Sequence, residues 1–359
     1  MREERYKTIR QLKKPSTAAC HLDIYTLFLL AEPKYSGCCR LAEILENISH
    51  DSINRFLLRE RYEPLDLFEM VKTKIELVGG ILSGDDTLIE KPYSASDKAD
   101  LIGYFWSGVH HRPIKGLNLI TLYYTDPTGL SVPVNYRIYD KREGKTKNQY
   151  LREMIAEVES WGLTPKFVTG DSWYSSPENL QFLKNKELGF LMGVAKNRKV
   201  CIQSGKWVQV STLDIPPDGL VVHIKQFGFV WLYKKSFKKQ GERYYIIFLP
   251  KLDELSQLTQ QDFKELHSIH WGIETYHRAV KQVCGSGRFM VRQSPAICTH
   301  IFCAIRAFTQ LELMRAEDLI ENWYEIQRNF FLKVARDYIV SHLSEKVNSH
   351  THSSFSVNA

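Results

Sequence analysis

Between Leu266 and Val283 the chain carries two stripes. Leu266, Ile269, Ile273, Tyr276, Val280 and Val283 recur three and four residues apart, the buried edge of an amphipathic helix. About 100° further round, His267, His270, Glu274, Arg278 and Lys281 recur at the same spacings. A solvated face alternates Glu and Lys for pairing four residues apart. Here one carboxylate stands among four basic or potentially basic neighbours. Such a face suits a carboxylate that holds a metal ion while the flanking cations hold a polyanion. The plain alternative is a helix end with scattered basic residues.

Residues 1–77 read as helical. Ser16 can cap a first helix containing His21 to Leu30, a turn follows from Pro33 to Gly37, and then Cys39 to Glu46. After a break at Asn47-Ile48-Ser49 comes His50 to Arg59, carrying Ser52, Asn54 and Arg55. Two short helices around a tight polar break resemble a helix-turn-helix, and Arg55 is its candidate DNA contact. Any small helical bundle shows the same breaks, and the segment is nearly charge-neutral.

From Val78 the period changes to two. Strands are expected at Ile81 to Ile89, Gly116 to Tyr124 and Ser131 to Tyr139, the last two joined by turn chemistry at Thr125-Asp-Pro-Thr-Gly129. A helix from Asn148 to Trp161 ends at Gly162, and Lys166 to Gly170 is a short buried-type strand running into Asp171. Ser176-Pro177-Glu178 opens another helix with Pro at its first position, before a strand at Phe190 to Val194. This succession predicts an α/β fold with a mixed sheet and helices on both faces. A β-rich insertion over about 200–250 breaks the rhythm, with strands near Trp207–Val210, Leu220–Ile224, Phe227–Tyr233 and Arg243–Leu249. Its turns are expected at Pro216–Gly219 and Lys238–Gly241. The catalytic-type domain is thus placed at 78–310, and residues 311–359 form a helical end with a frayed tail from Ser344.

Composition narrows the class. The 359 residues are 43% apolar and 25% charged, ordinary for a soluble protein. Seven cysteines, an odd number with no C-x-x-C pair, argue against a disulfide framework or zinc site and fit a reducing cytoplasm. The N-terminal apolar run Ile24–Ala31 falls far short of a membrane span. Lys and Arg exceed Asp and Glu by 48 to 41, net +7. From Ala195 to Arg243 the count is ten against three, so this one stretch equals the whole excess. A basic patch of that kind reads as contact with a polyanion, usually nucleic acid.

Three acids stand where chemistry is done. Asp86 lies on the first strand of the sheet, Asp171 ends a later strand where α/β folds place ligands, and Glu274 sits on the downstream helix. Carboxylates from separate elements can converge on one or two Mg²⁺, a hard ion that prefers oxygen, for phosphodiester transfer. Singly, each acid has a plainer identity as a cap, a turn residue or half of an ion pair with Arg278. Their order, strand–Asp, strand–Asp, β-insertion, helix–Glu, favours the joint reading. His267 and His270 with Glu274 could instead form a zinc set, but the H-E-x-x-H pattern is absent and both Asp motifs would go unexplained. His110-His111 reads as an ordinary loop. No phosphate-binding glycine loop, nucleophile elbow or dinucleotide fingerprint is present.

Gly84-Asp-Asp-Thr87, Thr169-Gly-Asp-Ser172 and His270-Trp-Gly-Ile-Glu274 with Lys281 resemble the three blocks of insertion-sequence transposases of the DDE type, over roughly residues 78–310. The resemblance is to the branch with a β-rich insertion and the signature Y-x2-R-x3-E-x6-K. Glu274 and Lys281 match its last two positions; His267 stands for the Tyr and His270 for the Arg. It implies an RNase H-like fold, and Mg²⁺ with Mn²⁺ able to substitute, held by Asp86, Asp171 and Glu274. Asp85 competes for the first place; strand alternation turns only one of the pair to the site, and in the family the acid directly before Thr is the ligand. The resemblance further implies cut-and-paste transposition of double-stranded DNA in the bacterial cytoplasm, at the nucleoid, by a homodimer on the paired ends. Lys281, Arg278, His270, His267 and Arg288 are then DNA contacts, with Trp207 and Trp231 as base contacts in the insertion. A catalytically inactive DNA-binding descendant and a nuclease that does not join strands are the alternatives.

Overall fold

The structure is a computed structural model and describes residues 19–34, 37–94, 99–108, 110–203, 205–237, 241–250 and 258–353. Among the described residues, four helices come first: α1 (Leu22–Ala31), α2 (Cys38–Leu45), α3 (His50–Arg59) and α4 (Pro64–Val71). The α3 start is set by Ser49, whose hydroxyl accepts from the Ser52 amide, satisfying one of the orphan donors of a first turn. Proline begins α4, and Glu63 and Asp66 cap each other's backbone. The expected Ser16 cap lies outside the described residues, as do parts of the turns at 33–37 and 238–241.

Eleven strands form one continuous sheet. They are β1 (Ile81–Glu90), β2 (Gly103–Ser107), β3 (Arg112–Thr125), β4 (Ser131–Ile138), β5 (Phe167–Gly170), β6 (Gly189–Val194), β7 (Lys199–Gln203), β8 (Lys206–Gln209), β9 (Leu220–Ile224), β10 (Gly228–Phe237) and β11 (Gly241–Phe248). Across the sheet the order is β2-β3-β1-β5-β6-β11-β10-β9-β7-β8, with β4 beside β3. β1 is antiparallel to β3 and parallel to β5, and β5 is parallel to β6. β11 then pairs antiparallel with β6, so the β-rich insertion extends the central sheet by its own strands. It is no separate layer.

Helices cover both faces: α5 (Lys147–Ser160) and α6 (Pro177–Asn185) on one, α7 (Gln260–Gln282) and α8 (Ser294–Ala316) on the other. Alternation along β1 sorts its side chains. Leu82 packs with Leu151, Met154 and Ile155 of α5. At Gly84 a Cβ would meet Leu151 Cδ1 at 2.5 Å, so any side chain there would have to displace the tip of Leu151. On the opposite face Tyr123 stacks on Tyr276 of α7 with ring centroids 5.0 Å apart.

The N-terminal helices are packed into that same face. Tyr25, Phe28, Leu29 and Phe56 share one buried cluster with Ile273, Tyr276, Cys303 and Phe308. Each fully buried aromatic contributes about 2–3 kcal/mol, so residues before 77 are joined to the α/β unit by its own core. The last helix, α9 (Glu325–Ser353), runs through Ser344, where fraying was expected; 354–359 lie outside the described residues. No described helix is long and apolar enough to cross a membrane.

Candidate active site

The side chains of Ser83, Asp85 and Thr87 alternate onto the face that α7 crosses. On β5 the alternation Phe167, Thr169 continues to Asp171, just past the strand. The parallel register sets Ser83 against Thr169 and Gly84 against Gly170. The next step brings Asp85 beside Asp171.

α7 is tied down across this line at three points. His270 Nδ1 lies 3.0 Å from Thr169 Oγ1, which donates to Ser83 Oγ at 2.8 Å. His277 Nδ1 is 3.7 Å from Asp85 Oδ2. Lys281 Nζ donates to Thr87 Oγ1 at 3.0 Å. Glu274 is one turn from both His270 and His277, hence on the same side of the helix. It is exposed and makes no hydrogen bond or ion pair among the described residues.

The electrostatics of the three acids agree with this crowding. Burial first, then the charges of Asp171, Asp86 and Glu274, hold the Asp85 carboxyl well above the usual carboxylate range. Asp171 is reached by solvent yet enclosed by protein on most sides. Desolvation and then Asp86 push it up to about 6, against the pull of the Trp173 and Tyr174 amides. The donor set is all hard oxygen, as Mg²⁺ and Mn²⁺ prefer. The carboxylates do not close on a single point: among the described residues no three His, Cys, Asp or Glu side chains form a group tight enough to hold a metal ion. Unneutralised like charges are expected to stand apart.

Asp86 faces the other way, against the expectation drawn from the acid-before-Thr pattern. Its Oδ2 accepts from Lys147 Nζ at 2.6 Å and Asn118 Nδ2 at 2.7 Å, and its Oδ1 from the Tyr174 hydroxyl at 2.9 Å. All three donors belong to the α5 side of the sheet or the loop after β5, and they leave Asp86 fully engaged. The face α7 covers is the odd-numbered face of β1, to which Asp85 turns, while the charge of Asp86 still reaches Asp171 around the strand edge.

Three of the expected DNA contacts turn inward. His267 is 4% exposed, held between Lys235 Nζ at 3.0 Å and the Tyr245 hydroxyl at 3.1 Å. Burial and then Lys235 push its pKa down to about 4. His270, also buried, is pushed down to about 4 by burial and then Arg243. Neutral and sealed, neither is placed to hold a phosphate. The Arg288 guanidinium donates to the carbonyls of Glu32, Leu29 and Val283, the free carbonyls at the ends of α1 and α7. It is a helix-end clamp.

Other candidates stay accessible. Arg278 is exposed, with no hydrogen bond or ion pair among the described residues. Arg55 is half-buried, its Nε enclosed without a partner. Its neighbour Ser52, offered as part of a reading helix, is buried and accepts from the Ala19 amide at 2.7 Å. Trp207 is 39% exposed, edge-on to His223. Trp231 donates to the Asp218 carbonyl at 2.7 Å and lies under Gly219, so it closes the Pro216–Gly219 turn. Sequence reasoning passed over a cavity of about 280 Å³ lined by Lys235, Phe237, Lys264, His267, Ser268 and Trp271. It also passed over Lys147 and Trp173, although the cation run Lys141 to Lys147 was a usable signal for the first.

A mixed sheet in which β1 and β5 lie parallel side by side, crossed by α7 on one face and covered by α5 and α6 on the other, defines an RNase H-like α/β domain. The chain belongs to the transposase DDE domain family, whose model matches residues 85–308, more than half of its length. Among solved structures it is similar to the piggyBac transposase in a synaptic complex with hairpin DNA, at 12% identity and a TM-score of 0.50. That match covers 94% of this chain and 77% of the other. It also resembles the Drosophila P element transposase of a strand transfer complex, at 9% identity and a TM-score of 0.27, over 58% and 54% of the two chains. No curated protein matches the sequence.

Proposed function

We propose that this transposase cuts DNA at the ends of an insertion element and transfers the freed 3′-hydroxyl into target DNA, with Asp85, Asp171 and Glu274 as its metal-holding carboxylates. One observation carries the assignment: Asp85 and Asp171 are lateral neighbours on the face that α7 crosses, with Glu274 one turn from the residues touching that face. Mg²⁺, or Mn²⁺ in its place, would supply activation of the attacking oxygen and charge relief at the leaving one.

The chain's own residues do the rest. Asp86, bonded to Lys147, Asn118 and Tyr174, is a positioning residue that fixes the end of β1. Arg278, one turn beyond Glu274, meets phosphates on the open side of the helix, Lys281, two turns beyond and bonded to Thr87, adds charge at the β1 edge, and Lys147 adds positive charge on the far side of the acids. Double-stranded element ends and target are the partners, engaged by two copies of the chain in the bacterial cytoplasm. The β-insertion, carrying ten cations to three acids between Ala195 and Arg243, gives the duplex a long electropositive surface.

The test is cleavage of DNA from both flanks of the gene with Mg²⁺ or EDTA, wild type beside Asp171→Asn and Glu274→Gln. Metal-dependent cuts at inverted repeats, followed by joined products and lost in both variants, are expected. Cuts without joined products would reduce the reading to a nuclease. Binding without cutting in any metal would reduce it to a DNA-binding protein.

A further inference from the structure

β2 and β3 run past the end of β1 as an arm. The last β1 residue, Glu90, pairs with Gly116, and β3 reaches back from there to Arg112 with β2 as its partner. On this arm Tyr104 and Trp106 are 56% and 66% exposed. Phe105 between them is buried against Tyr139 at 6.0 Å, with Lys141 Nζ 4.8 Å over its ring, so the strand is anchored and its two outer rings are held out. Lys141 also donates to the Tyr104 carbonyl at 2.7 Å.

The two rings share a face, because residues two apart on a strand do. They are separated by about 6.7 Å along the strand, roughly twice the 3.4 Å spacing of stacked bases, a gap that admits one flat ring. Tyr104 pairs with Lys115, Trp106 with Pro113, and Asp85 with Thr121. Odd positions of β3 alternate onto one face, so both aromatics look out on the side where Asp85 lies. They stand six and eight residues from Thr121 along β3, about 20 and 26 Å.

Charge names the occupant. No Asp or Glu occurs between Asp100 and Asp126, where Arg112, Lys115, His110 and His111 lie; His110 is paired with Glu90 at 3.0 Å, which leaves Arg112 and Lys115 as the arm's fixed charge. Arg112 is exposed. A second copy of so cationic an arm would be repelled; a nucleic acid strand would be drawn in. A base offers both flat faces only when it has left the duplex stack. We infer that the arm takes an unpaired base of the DNA substrate between Tyr104 and Trp106, with Lys115, which shares their face and donates to the Ser94 carbonyl at 2.9 Å, beside a flanking phosphate, several nucleotides from the carboxylates. The inference rests on the reading of DNA as substrate.

The full chain is titrated with labelled single-stranded oligonucleotide and with blunt duplex, read by fluorescence anisotropy. Tyr104→Ala/Trp106→Ala should lose about tenfold in affinity for the single strand and keep its duplex affinity. Tyr104→Phe/Trp106→Phe should restore the single-strand value, since the flat faces return. A 2-aminopurine in the single strand should be quenched by wild type and not by the alanine variant. Equal loss on both DNAs, no loss on either, or a change of sedimentation without DNA would overturn the inference while the transposase reading stands. Wild type that binds neither DNA would overturn both.

Discussion

Asp85 and Asp86 can be told apart by replacing each with Asn. At Asp86 the change places an amide where Lys147, Asn118 and Tyr174 all donate, and it breaks an ion pair whose side chains are only 18% and 17% exposed. Hydrogen bonds to charged groups contribute about 1.5–3 kcal/mol each. One amide oxygen still accepts, so the net loss is about 2–3 kcal/mol, which lowers the unfolding temperature by about 3–4 °C. At Asp85 the sign is opposite. The change removes a carboxyl whose charged form is opposed by burial first and then by Asp171, Asp86 and Glu274, so the metal-free protein melts no lower than wild type.

Activity reverses the order. Asp85→Asn, stable, should lose metal-dependent cleavage altogether. Asp86→Asn, less stable, should still cut below its melting temperature, slowed by no more than about 10–100-fold as for a residue that orients a ligand. Thermal unfolding in EDTA and cleavage in Mg²⁺ are run on the same preparations. Should folded Asp86→Asn be inactive while Asp85→Asn cuts, the facing argument is wrong and Asp86 is the ligand.

Four further outcomes are expected. Asp171, pushed up to about 6, must release its proton to bind metal, so Mn²⁺ affinity by calorimetry should climb as pH rises through 6; a flat profile would contradict this. Because that pKa is raised on folding, the metal-free protein binds more protons folded than unfolded between about 3.9 and about 6, and its stability should fall as pH rises across that window. Arg288→Met should cost about 3 kcal/mol of stability through three helix-end carbonyls with duplex affinity unchanged, the reverse of a phosphate contact. Arg278→Ala should leave the melting temperature alone, weaken duplex binding and reduce the slope of log affinity against log salt by about one.

Much of this was written in local pattern. The period of α7, the caps of α3 and the order of the three acid blocks each depend on residues close in sequence. The choice between Asp85 and Asp86 does not. Both lie on one strand, and which is covered depends on the side of the sheet to which α7 returns much later. The inward turn of His267 and His270 was hidden for a related reason. The buried arc of α7 is wider than its apolar stripe, because imidazoles bonded to Tyr245 and Thr169 can be buried neutral. β2 escaped notice because Gly-Tyr-Phe-Trp-Ser is aromatic at inward and outward positions alike, so alternation leaves no mark on it.

The insertion poses a geometric problem that the sheet solves. Between β6 and α7 the chain makes five strands, yet Glu274 must return to the line between β5 and β1. β11 runs antiparallel beside β6, Tyr244 against Val194 and Phe248 against Phe190, so the chain leaves the insertion at the end where β6 began. From there α7 crosses the strands in turn. Phe263 stacks on Tyr233 of β10, with ring centroids 4.6 Å apart. His267 meets Tyr245 of β11, His270 meets Thr169 of β5, His277 meets Asp85 of β1, and Lys281 meets Thr87. Glu274 arrives over the acids because the helix is fastened at both ends, first to the insertion's own strands and last to β1. The insertion is therefore more than a basic surface. Its inner strands β10 and β11 are the footing that sets the course of α7 and with it the position of Glu274.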